Sequence, residues 1–221
     1  MKTITNKNEL LEVIKNDAWN FRYAPEELKD DKEVILEAVK YNGYTLDFAS
    51  ERLQDNEEVV LTAVKESGFA LKFASERLRD DKELVLTAVK KNGPALNYAS
   101  KELRDNEEIV LEAVKNDGFA LQFASERLQD NKEVVFEAVK NDSYALRFAS
   151  ERLRDNEEVV LTAVKNDGWA LKYASERLRD NKELVLTAVK KHDGFNLEYA
   201  SERLKNDKEF IKEIENIKNG Q

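Results

Sequence analysis

The chain has 221 residues, 41% hydrophobic and 37% charged, so it can bury a core beneath a heavily charged surface. Its formal net charge of -9 disfavours general attraction to the phosphates of nucleic acids or anionic membranes. The absence of cysteine excludes disulfides, thiolate metal sites and a cysteine nucleophile.

A 25-residue motif recurs along the chain and predicts its organisation. Alignment on the pattern Asp-x-Glu-Val-Val-Leu gives eight repeats: 6–30, 31–55, 56–80, 81–105, 106–130, 131–155, 156–180 and 181–206. The last repeat carries one extra residue near His192 and Asp193, and residues 207–221 form a further half repeat. We number positions 1 to 25 within a repeat, and predict a single domain, 1–221, that is one helical array.

Each repeat begins with the pattern of an amphipathic helix, as repeat 56–80 illustrates. Asp55 and Glu58 have the spacing of a capping box, in which the first side chain accepts backbone N–H groups. Residues 59–64 place apolar side chains at helical spacing. Gly68 is expected to adopt the left-handed conformation that ends many helices.

A second, shorter helix is expected to begin near Phe69. Pro94 occupies this starting position in its own repeat, and proline is well tolerated in the first turn of a helix. Pro25 stands in the first repeat where later repeats have serine, such as Ser75. Because proline inside a helix costs about 3 kcal/mol, we predict that this helix breaks near Ser75 and resumes as a separate turn ending at Leu78.

The width of the apolar surface predicts how the helices pack. Apolar side chains of the first helix cover an arc of roughly 200°, so the helix must be covered on two sides, as in a stack of repeats. In the last helix, Lys212 and Glu215 replace residues that are apolar in repeat 56–80, as expected of a terminal cap. We therefore predict an all-α fold. It is an α-solenoid of eight 25-residue repeats, each with a longer helix and a short broken helix, closed by a C-terminal capping helix in 207–221.

The repeat also carries a family resemblance. The motif Asp-Lys-Glu-Leu-Val-Leu-Thr-Ala-Val-Lys-Lys-Asn-Gly at 81–93, with Tyr or Phe followed by Ala-Ser-Glu-Arg-Leu after it in most repeats, resembles the repeat known as domain of unknown function 4116. The resemblance covers essentially the whole chain. It implies a helical repeat fold and no assigned activity. A looser resemblance is to leucine-rich-repeat variants, which alternate long and short helices.

Patterns of catalytic or metal-binding residues are not recognised in the sequence. His192 is the only histidine, which excludes histidine pairs and triads, and it is predicted to lie in an exposed loop. Acidic clusters such as Asp80, Asp81 and Glu83 are better explained by helix capping than by calcium binding. The recurring serine has no histidine or lysine general base in register, so it is interpreted as the start of a helical turn. We expect no enzyme activity, no cofactor and no metal.

Three columns of residues have both a structural and a functional interpretation. The charge at position 2 alternates in sign along the chain: Lys32, Glu57, Lys82, Glu107, Lys132, Glu157 and Lys182. We predict that these opposite charges become neighbours in adjacent repeats. The alternation also fits duplication of a two-repeat block. Position 10 is lysine in every repeat: Lys15, Lys40, Lys65, Lys90, Lys115, Lys140, Lys165 and Lys190. These lysines either complement the helix dipole or face an acidic partner. Aromatic residues at positions 14 and 18 are interpreted as core packing between repeats rather than as a ligand cage.

The most variable column is the candidate partner-binding site. Position 17 projects from the polar side of the second helix, near position 24, and contains Arg22, Asp47, Lys72, Asn97, Gln122, Arg147, Lys172 and Glu198. We predict a non-catalytic protein-interaction scaffold that presents an extended solenoid surface to a protein or peptide, with no nucleic-acid or membrane partner. The alternative is a structural or self-assembling module, of natural or engineered origin. The chain has no apolar stretch near the roughly 18 residues that span a bilayer, and we expect a cytoplasmic monomer.

Overall fold

A computed structural model describes residues 6–191 and 195–218, and the regular elements in those ranges are all helices. The backbone contacts divide the chain into two compact halves, Met1–Asn116 and Asp117–Gln221. The boundary falls in the fifth repeat, after its long helix. The predicted all-α, solenoid-like repeat fold is confirmed, whereas the assignment of 1–221 to one domain stays a prediction.

The described part of the N-terminal half, 6–116, contains five long helices. In the first four repeats, the long helix is followed by a six-residue 3-10 helix and then by a short helical turn. The long helices are Lys7–Asn16, Lys32–Tyr41, Glu57–Glu66, Lys82–Lys91 and Glu107–Asn116. The 3-10 helices are Ala18–Tyr23, Gly43–Phe48, Gly68–Phe73 and Gly93–Tyr98. The short turns are Glu26–Lys29, Glu51–Gln54, Glu76–Arg79 and Leu103–Asp105, the last of which is itself 3-10.

The C-terminal half repeats the same order of elements. It begins with the 3-10 helix Gly118–Phe123 and the turn Glu126–Gln129. Its long helices are Lys132–Asn141, Glu157–Asn166, Lys182–Lys191 and the closing helix Lys208–Lys218. Its other 3-10 helices are Ser143–Phe148, Gly168–Tyr173 and Phe195–Tyr199, and its other short turns are Glu151–Arg154, Glu176–Arg179 and Glu202–Lys205.

The break predicted near Ser75 is confirmed. The Ala74 N–H donates to the carbonyl oxygen of Leu71 at 3.1 Å, which closes the 3-10 helix. Ala74 and Ser75 are both extended, and the Ser75 hydroxyl then accepts from the Leu78 N–H at 3.3 Å. The first part of the predicted second helix is 3-10 rather than α, a form common in short connecting segments.

The core of each repeat consists of aliphatic side chains from all three elements. In repeat 56–80, the fully buried residues are Val59, Val60, Ala63, Val64, Ala70, Leu71 and Leu78. Within each half, consecutive long helices pack on one another; for example, Glu57–Glu66 packs on Lys82–Lys91 and on the 3-10 helices Gly43–Phe48 and Gly68–Phe73. The closing helix buries Phe210 and Ile214 and exposes Lys212 and Glu215, as the replacements at those positions predict.

The predicted left-handed conformation of Gly68 is wrong. None of Gly43, Gly68 and Gly118 has a φ angle in the left-handed region, and the long helix ends instead at an extended residue, Ser67 in repeat 56–80. These glycines allow neighbouring repeats to approach closely. A Cβ atom on Gly68 would lie 2.3 Å from the carbonyl oxygen of Ala88 in the next repeat.

The predicted capping box is displaced by one residue. Asn56, not Asp55, caps the long helix, since its side chain accepts from the Val59 N–H at 3.2 Å. Glu58 therefore occupies the second helical position rather than the third. Asp55 ends the preceding short turn, which leaves its carboxylate available for a contact with the next repeat.

Candidate functional site

A three-residue cluster fastens repeat 31–55 to repeat 56–80. The Ser75 hydroxyl donates to the Asp55 carboxylate, and the Arg77 guanidinium donates to the same carboxylate at 3.0 Å and to the Asp55 carbonyl oxygen at 2.9 Å. The Ser75 N–H also donates to the carbonyl oxygen of Gln54 at 3.0 Å. We call this set of aspartate, serine and arginine the clamp.

Other junctions within each half also have the clamp, with the same roles for the three residue types. They are Asp30 with Ser50 and Arg52, Asp130 with Ser150 and Arg152, Asp155 with Ser175 and Arg177, and Asp180 with Ser201 and Arg203. At Asp55, the Ser75 hydroxyl and the Arg77 guanidinium hold the pKa of the carboxyl group below its usual value of 3.8. The clamp is structural, because its hydrogen-bonding groups are used within the chain.

The prediction that opposite charges at position 2 pair with one another in adjacent repeats is wrong: the lysines pair with other acidic residues of the next repeat, and the glutamates pair within their own repeat. Three of these lysines reach position 3 of the next repeat, in the pairs Lys32 with Glu58, Lys82 with Glu108, and Lys132 with Glu158, whereas Lys182 pairs with Asp207. The glutamate Glu57 instead pairs with Arg77 of its own repeat at 2.9 Å, and Glu157 pairs with Arg177 at 3.2 Å. The charge alternation therefore reflects two different bonding patterns in alternate repeats.

An asparagine near the end of the long helix makes a second kind of contact between repeats. The Gly68 N–H donates to the Asn92 side-chain oxygen at 2.8 Å, and the Gly93 N–H donates to that of Asn116 at 2.6 Å. In the C-terminal half, the Gly118 N–H donates to Asn141 at 2.8 Å. These contacts cap the start of a 3-10 helix with a side chain from the next repeat.

Aromatic residues at positions 14 and 18 pair between repeats along the side formed by the 3-10 helices. Position 14 of one repeat meets position 18 of the next in edge-to-face geometry, with ring centroids 5.1 to 6.3 Å apart. The pairs are Trp19 with Phe48, Tyr44 with Phe73, Phe119 with Phe148, Tyr144 with Tyr173, and Trp169 with Tyr199. We call this surface the aromatic face.

The prediction that these rings pack between repeats is confirmed, but the prediction that they belong to the core is wrong. Trp19 is 43% exposed, Tyr44 and Tyr144 are 37% exposed, and the other paired rings are half-buried. Since two half-exposed columns of rings are built side by side, each half of the chain presents apolar ring surface to solvent.

The predicted partner-binding column lies on the aromatic face. Arg22, Asp47, Lys72, Asn97, Arg147, Lys172 and Glu198 are exposed, and Gln122 is half-buried because its amide donates to the Phe119 carbonyl oxygen at 3.2 Å. Position 24, predicted to lie nearby, is half-buried rather than projecting. Its Gln54 amide donates to the carbonyl oxygen of Leu46 at 3.1 Å and so closes the 3-10 helix.

Cations of position 17 lie over the aromatic rings. The Arg147 guanidinium is 4.5 Å from the ring centroid of Phe119 and 4.3 Å from that of Phe148. The Lys172 ammonium is 5.9 Å from the ring centroids of both Tyr173 and Tyr199. In the N-terminal half, Arg22 lies over Tyr23, and Lys72 lies over Phe73. Such contacts hold each cation close to the protein surface.

The long helices form a second surface, which carries the lysines of position 10. Grooves between adjacent long helices have a leucine floor and charged sides, and the groove between the first two has a volume of about 510 Å³. Leu11 and Leu36 line this groove together with Lys15 and Lys40. Lys15 and Lys40 pair with glutamates three residues earlier in the same helix, so these cations are partly neutralised locally.

Two other sequence-based expectations concern chemistry. His192 and Asp193 lie outside the described residues. Within 6–191 and 195–218, no group of three or more histidine, cysteine, aspartate and glutamate residues is arranged to hold a metal ion. In the same ranges, no helix combines the length and apolar character needed to cross a membrane.

The repeated three-part unit defines the chain as a helical repeat protein. A family model matches it at 6–54, 56–104, 106–154, 156–193 and 191–220. The chain therefore belongs to the family described as domain of unknown function (DUF4116). The first three matches each span about two 25-residue repeats, which agrees with the alternation of bonding patterns at position 2. Comparisons with curated proteins and with solved structures gave no match.

Sequence reasoning placed the column at position 17 correctly on the surface but missed the rings that surround it. The available signal was that positions 14 and 18 are aromatic in most repeats, whereas the fully buried positions are almost all aliphatic. A column of large rings beside a variable polar column is typical of a surface rather than a core.

Proposed function

We propose that the chain is a non-catalytic scaffold that binds a protein or peptide partner through the aromatic face. The observation that carries this proposal is that the exposed side chains of position 17 stand among half-exposed rings in both halves of the chain. Tyrosine, tryptophan and arginine are the residue types that dominate the energetic centres of protein interfaces. Trp19, Tyr44, Tyr144 and Arg147 provide this composition on exposed positions.

The proposal that the role is not catalytic is supported by what the serines do. The Ser75 hydroxyl accepts from the Leu78 N–H and donates to Asp55, so both of its hydrogen-bonding functions serve the fold. The same pattern holds at Ser150 and Ser175. The base beside this hydroxyl is the Asp55 carboxylate, and its lowered pKa and its hydrogen bond from Arg77 make it a weak general base for activating a nucleophile.

The second candidate is a structural module that associates with copies of itself. Its support is the groove lined by Leu11 and Leu36, together with Tyr41, which is 52% exposed at the end of the neighbouring long helix. Light scattering over a range of concentrations separates the two candidates. A mass that rises with concentration favours self-association, and a constant monomer mass favours the scaffold.

Selection of peptides from a random display library tests the scaffold proposal. We expect the wild-type chain to enrich a related set of peptides. These peptides should lose binding to the triple variant Lys72→Glu, Arg147→Glu, Lys172→Glu, which reverses the cations of the aromatic face. The matched control is Lys65→Glu, Lys90→Glu, Lys165→Glu, which makes the same charge change on exposed lysines of the long helices.

The two triple variants assign the binding surface. Loss of binding only in the first variant supports the aromatic face. Loss only in the control would move the site to the lysines of position 10 and contradict the proposal as stated. Failure to enrich any related peptides would contradict the scaffold function itself. Circular dichroism and urea unfolding of each variant show whether the fold is retained.

A further inference from the structure

We propose that the aromatic face of the C-terminal half binds a peptide segment in the extended polyproline II conformation, with two carboxylate side chains three residues apart, one on Arg147 and one on Lys172. The proposal rests on the scaffold function proposed above and names the chemistry of its ligand. Four observations support it: unpaired cations, occupied acidic groups, cations held on rings, and the spacing of the repeats.

The first observation is that the two cations lack charged partners. Neither Arg147 nor Lys172 forms an ion pair or a hydrogen bond with any residue in 6–191 or 195–218, although both lie over rings. Elsewhere in this half, Arg152, Arg177 and Arg203 each pair with an aspartate of the clamp. The two cations of the aromatic face are therefore free to bind an added carboxylate.

The second observation is that the acidic groups of the same face are already engaged. The Asp142 carboxylate accepts from the Tyr144 N–H at 2.8 Å, and Asp167 accepts from the Trp169 N–H at 2.9 Å. The hydrogen bond between Glu198 and the Tyr199 hydroxyl raises the pKa of that tyrosine. These carboxylates keep their charge, but none of them forms an ion pair with Arg147 or Lys172, so both cations can accept a carboxylate of a ligand.

The third observation is the short distance between the Arg147 guanidinium and two aromatic rings. The Arg147 guanidinium lies 4.3 to 4.5 Å from the centroids of two rings, so its position is defined before any ligand arrives. No ion pair or hydrogen bond with the described residues occupies its N–H groups, which can therefore donate to a carboxylate in a bidentate contact. Ordering in advance reduces the entropy lost on binding.

The fourth observation concerns distance. Arg147 and Lys172 hold the same position in adjacent repeats, and adjacent packed helices are typically about 8–10 Å apart. A peptide in the polyproline II conformation has three residues per turn and advances about 3.1 Å per residue, so side chains three residues apart lie on the same side and roughly 9 Å apart. Two glutamates separated by two residues match this spacing. The intervening residues then meet the pair Tyr144 and Tyr173, which joins the same two repeats.

Aromatic rings with nearby cations also occur in proteins that bind single-stranded nucleic acids, where bases stack on ring faces. Here Arg147 covers Phe119 and Phe148. The net charge of -9 also opposes a long phosphate backbone. These two facts favour an acidic peptide, and an oligonucleotide serves as a competing probe in the test.

The test is a titration followed by the fluorescence of Trp169 in a Trp19→Phe background, which leaves one tryptophan, on the aromatic face of the C-terminal half. The probe is an unlabelled octapeptide with two glutamates separated by two apolar residues. Comparison peptides replace both glutamates with glutamine or place the glutamates next to each other. An octathymidylate is the nucleic-acid probe.

We expect saturable binding of the first peptide, weakened at least about tenfold by Arg147→Glu or by Lys172→Glu. Lys165→Glu makes the same charge change on the long helix of the same repeat as Lys172 and should leave affinity nearly unchanged. Urea unfolding of each variant, monitored by circular dichroism, shows whether the aromatic face is still folded. The peptide with adjacent glutamates should bind more weakly, because it cannot reach both cations.

Several outcomes would overturn the inference. Equal binding of the glutamine peptide would show that carboxylates are not recognised, and an equal loss in Lys165→Glu would reduce the effect to overall charge. Tighter binding of the oligonucleotide, lost in Arg147→Glu, would assign the face to nucleic acid. If the display library instead yields neutral peptides that bind the aromatic face, this inference fails while the scaffold function stands.

Discussion

Two consecutive junctions of the N-terminal half use different polar contacts around the same apolar core. The junction between repeats 31–55 and 56–80 has the full clamp, in which Arg77 binds Asp55. At the junction between repeats 56–80 and 81–105, the serine contact remains but Glu102 stands where the clamp has arginine. The short turn there, Leu103–Asp105, is 3-10 instead of α.

The second junction has a contact that the first lacks at the equivalent position. Asn92 accepts from the Gly68 N–H, whereas the side chain of Ser67, at the same position of the preceding repeat, forms no hydrogen bond with Gly43. Both junctions share the close approach of a glycine to an alanine carbonyl, at Gly43 with Ala63 and at Gly68 with Ala88. The comparison indicates that apolar packing sets the spacing of the repeats and that the polar contacts can be exchanged around it.

The strongest test of this comparison is Gly68→Val, which attacks the feature that both junctions share. A Cβ at Gly68 would lie 2.3 Å from a backbone oxygen that cannot rotate away, so we expect a loss of about 3 kcal/mol in unfolding free energy. The measurement is urea unfolding followed by circular dichroism. Ser67→Val, one residue earlier and in extended backbone, is the control and should cost much less.

The glycine position also shows how far a junction can adapt. Ala18 and Ser143 occupy it in two other repeats and are buried, so a small side chain is accepted there when its surroundings differ. A cost of Gly68→Val no greater than that of Ser67→Val would show that the repeats can separate freely. In that case packing would not set their spacing.

The next largest effect is expected for Asn92→Ala, which acts at the second junction alone. Removal of the side-chain oxygen leaves the buried Gly68 N–H without that acceptor, at a cost of about 1–3 kcal/mol. Ser67→Ala is the matched control at the first junction and should be nearly neutral. Amide hydrogen exchange at Gly68 provides a local readout, and unchanged protection there would contradict the assigned contact.

The clamp of the first junction predicts a dependence on pH. The Ser75 hydroxyl and Arg77 lower the pKa of Asp55 in the folded chain, so folding favours its carboxylate form. This contribution to stability is complete above the usual pKa of 3.8 and is lost as the pH falls through the lower folded value. We expect Arg77→Gln to raise the pKa of Asp55 and to reduce the loss of stability in acid.

Carbon-detected NMR titration of the Asp55 carboxyl group measures this shift directly. Arg79→Gln is the control, since Arg79 lies in the same short turn but approaches Glu76 at 4.0 Å rather than Asp55. If both variants shift the pKa of Asp55 equally, overall charge and not the clamp is responsible.

The sequence predicts the helices, their break at Ser75 and the exposure of position 17, because these depend on periodicity and local backbone chemistry. It does not predict the polar contacts between repeats correctly. Aspartate is a favoured helix-capping residue, and Asp55 stands just before a long helix. Asp55 nevertheless binds the next repeat, while Asn56 caps the helix. Glycine after a helix suggests a left-handed end, yet Gly68 is required by a neighbour 20 residues away. Such roles depend on tertiary distances that a repeat pattern alone does not contain.

The smallest expected effect is a gain, from Glu102→Arg, which supplies the residue that the second junction lacks. The new guanidinium should reach Asp80, whose carboxylate already accepts from Ser100, as Arg77 reaches Asp55. An exposed pair of this kind contributes at most about 1 kcal/mol, so we expect a small rise in the urea midpoint. Glu102→Gln separates removal of a negative charge from formation of the clamp. If the two variants are equally stable, the polar contacts of one junction cannot simply be transferred to the other, and the 3-10 turn at Leu103–Asp105 is incompatible with the clamp.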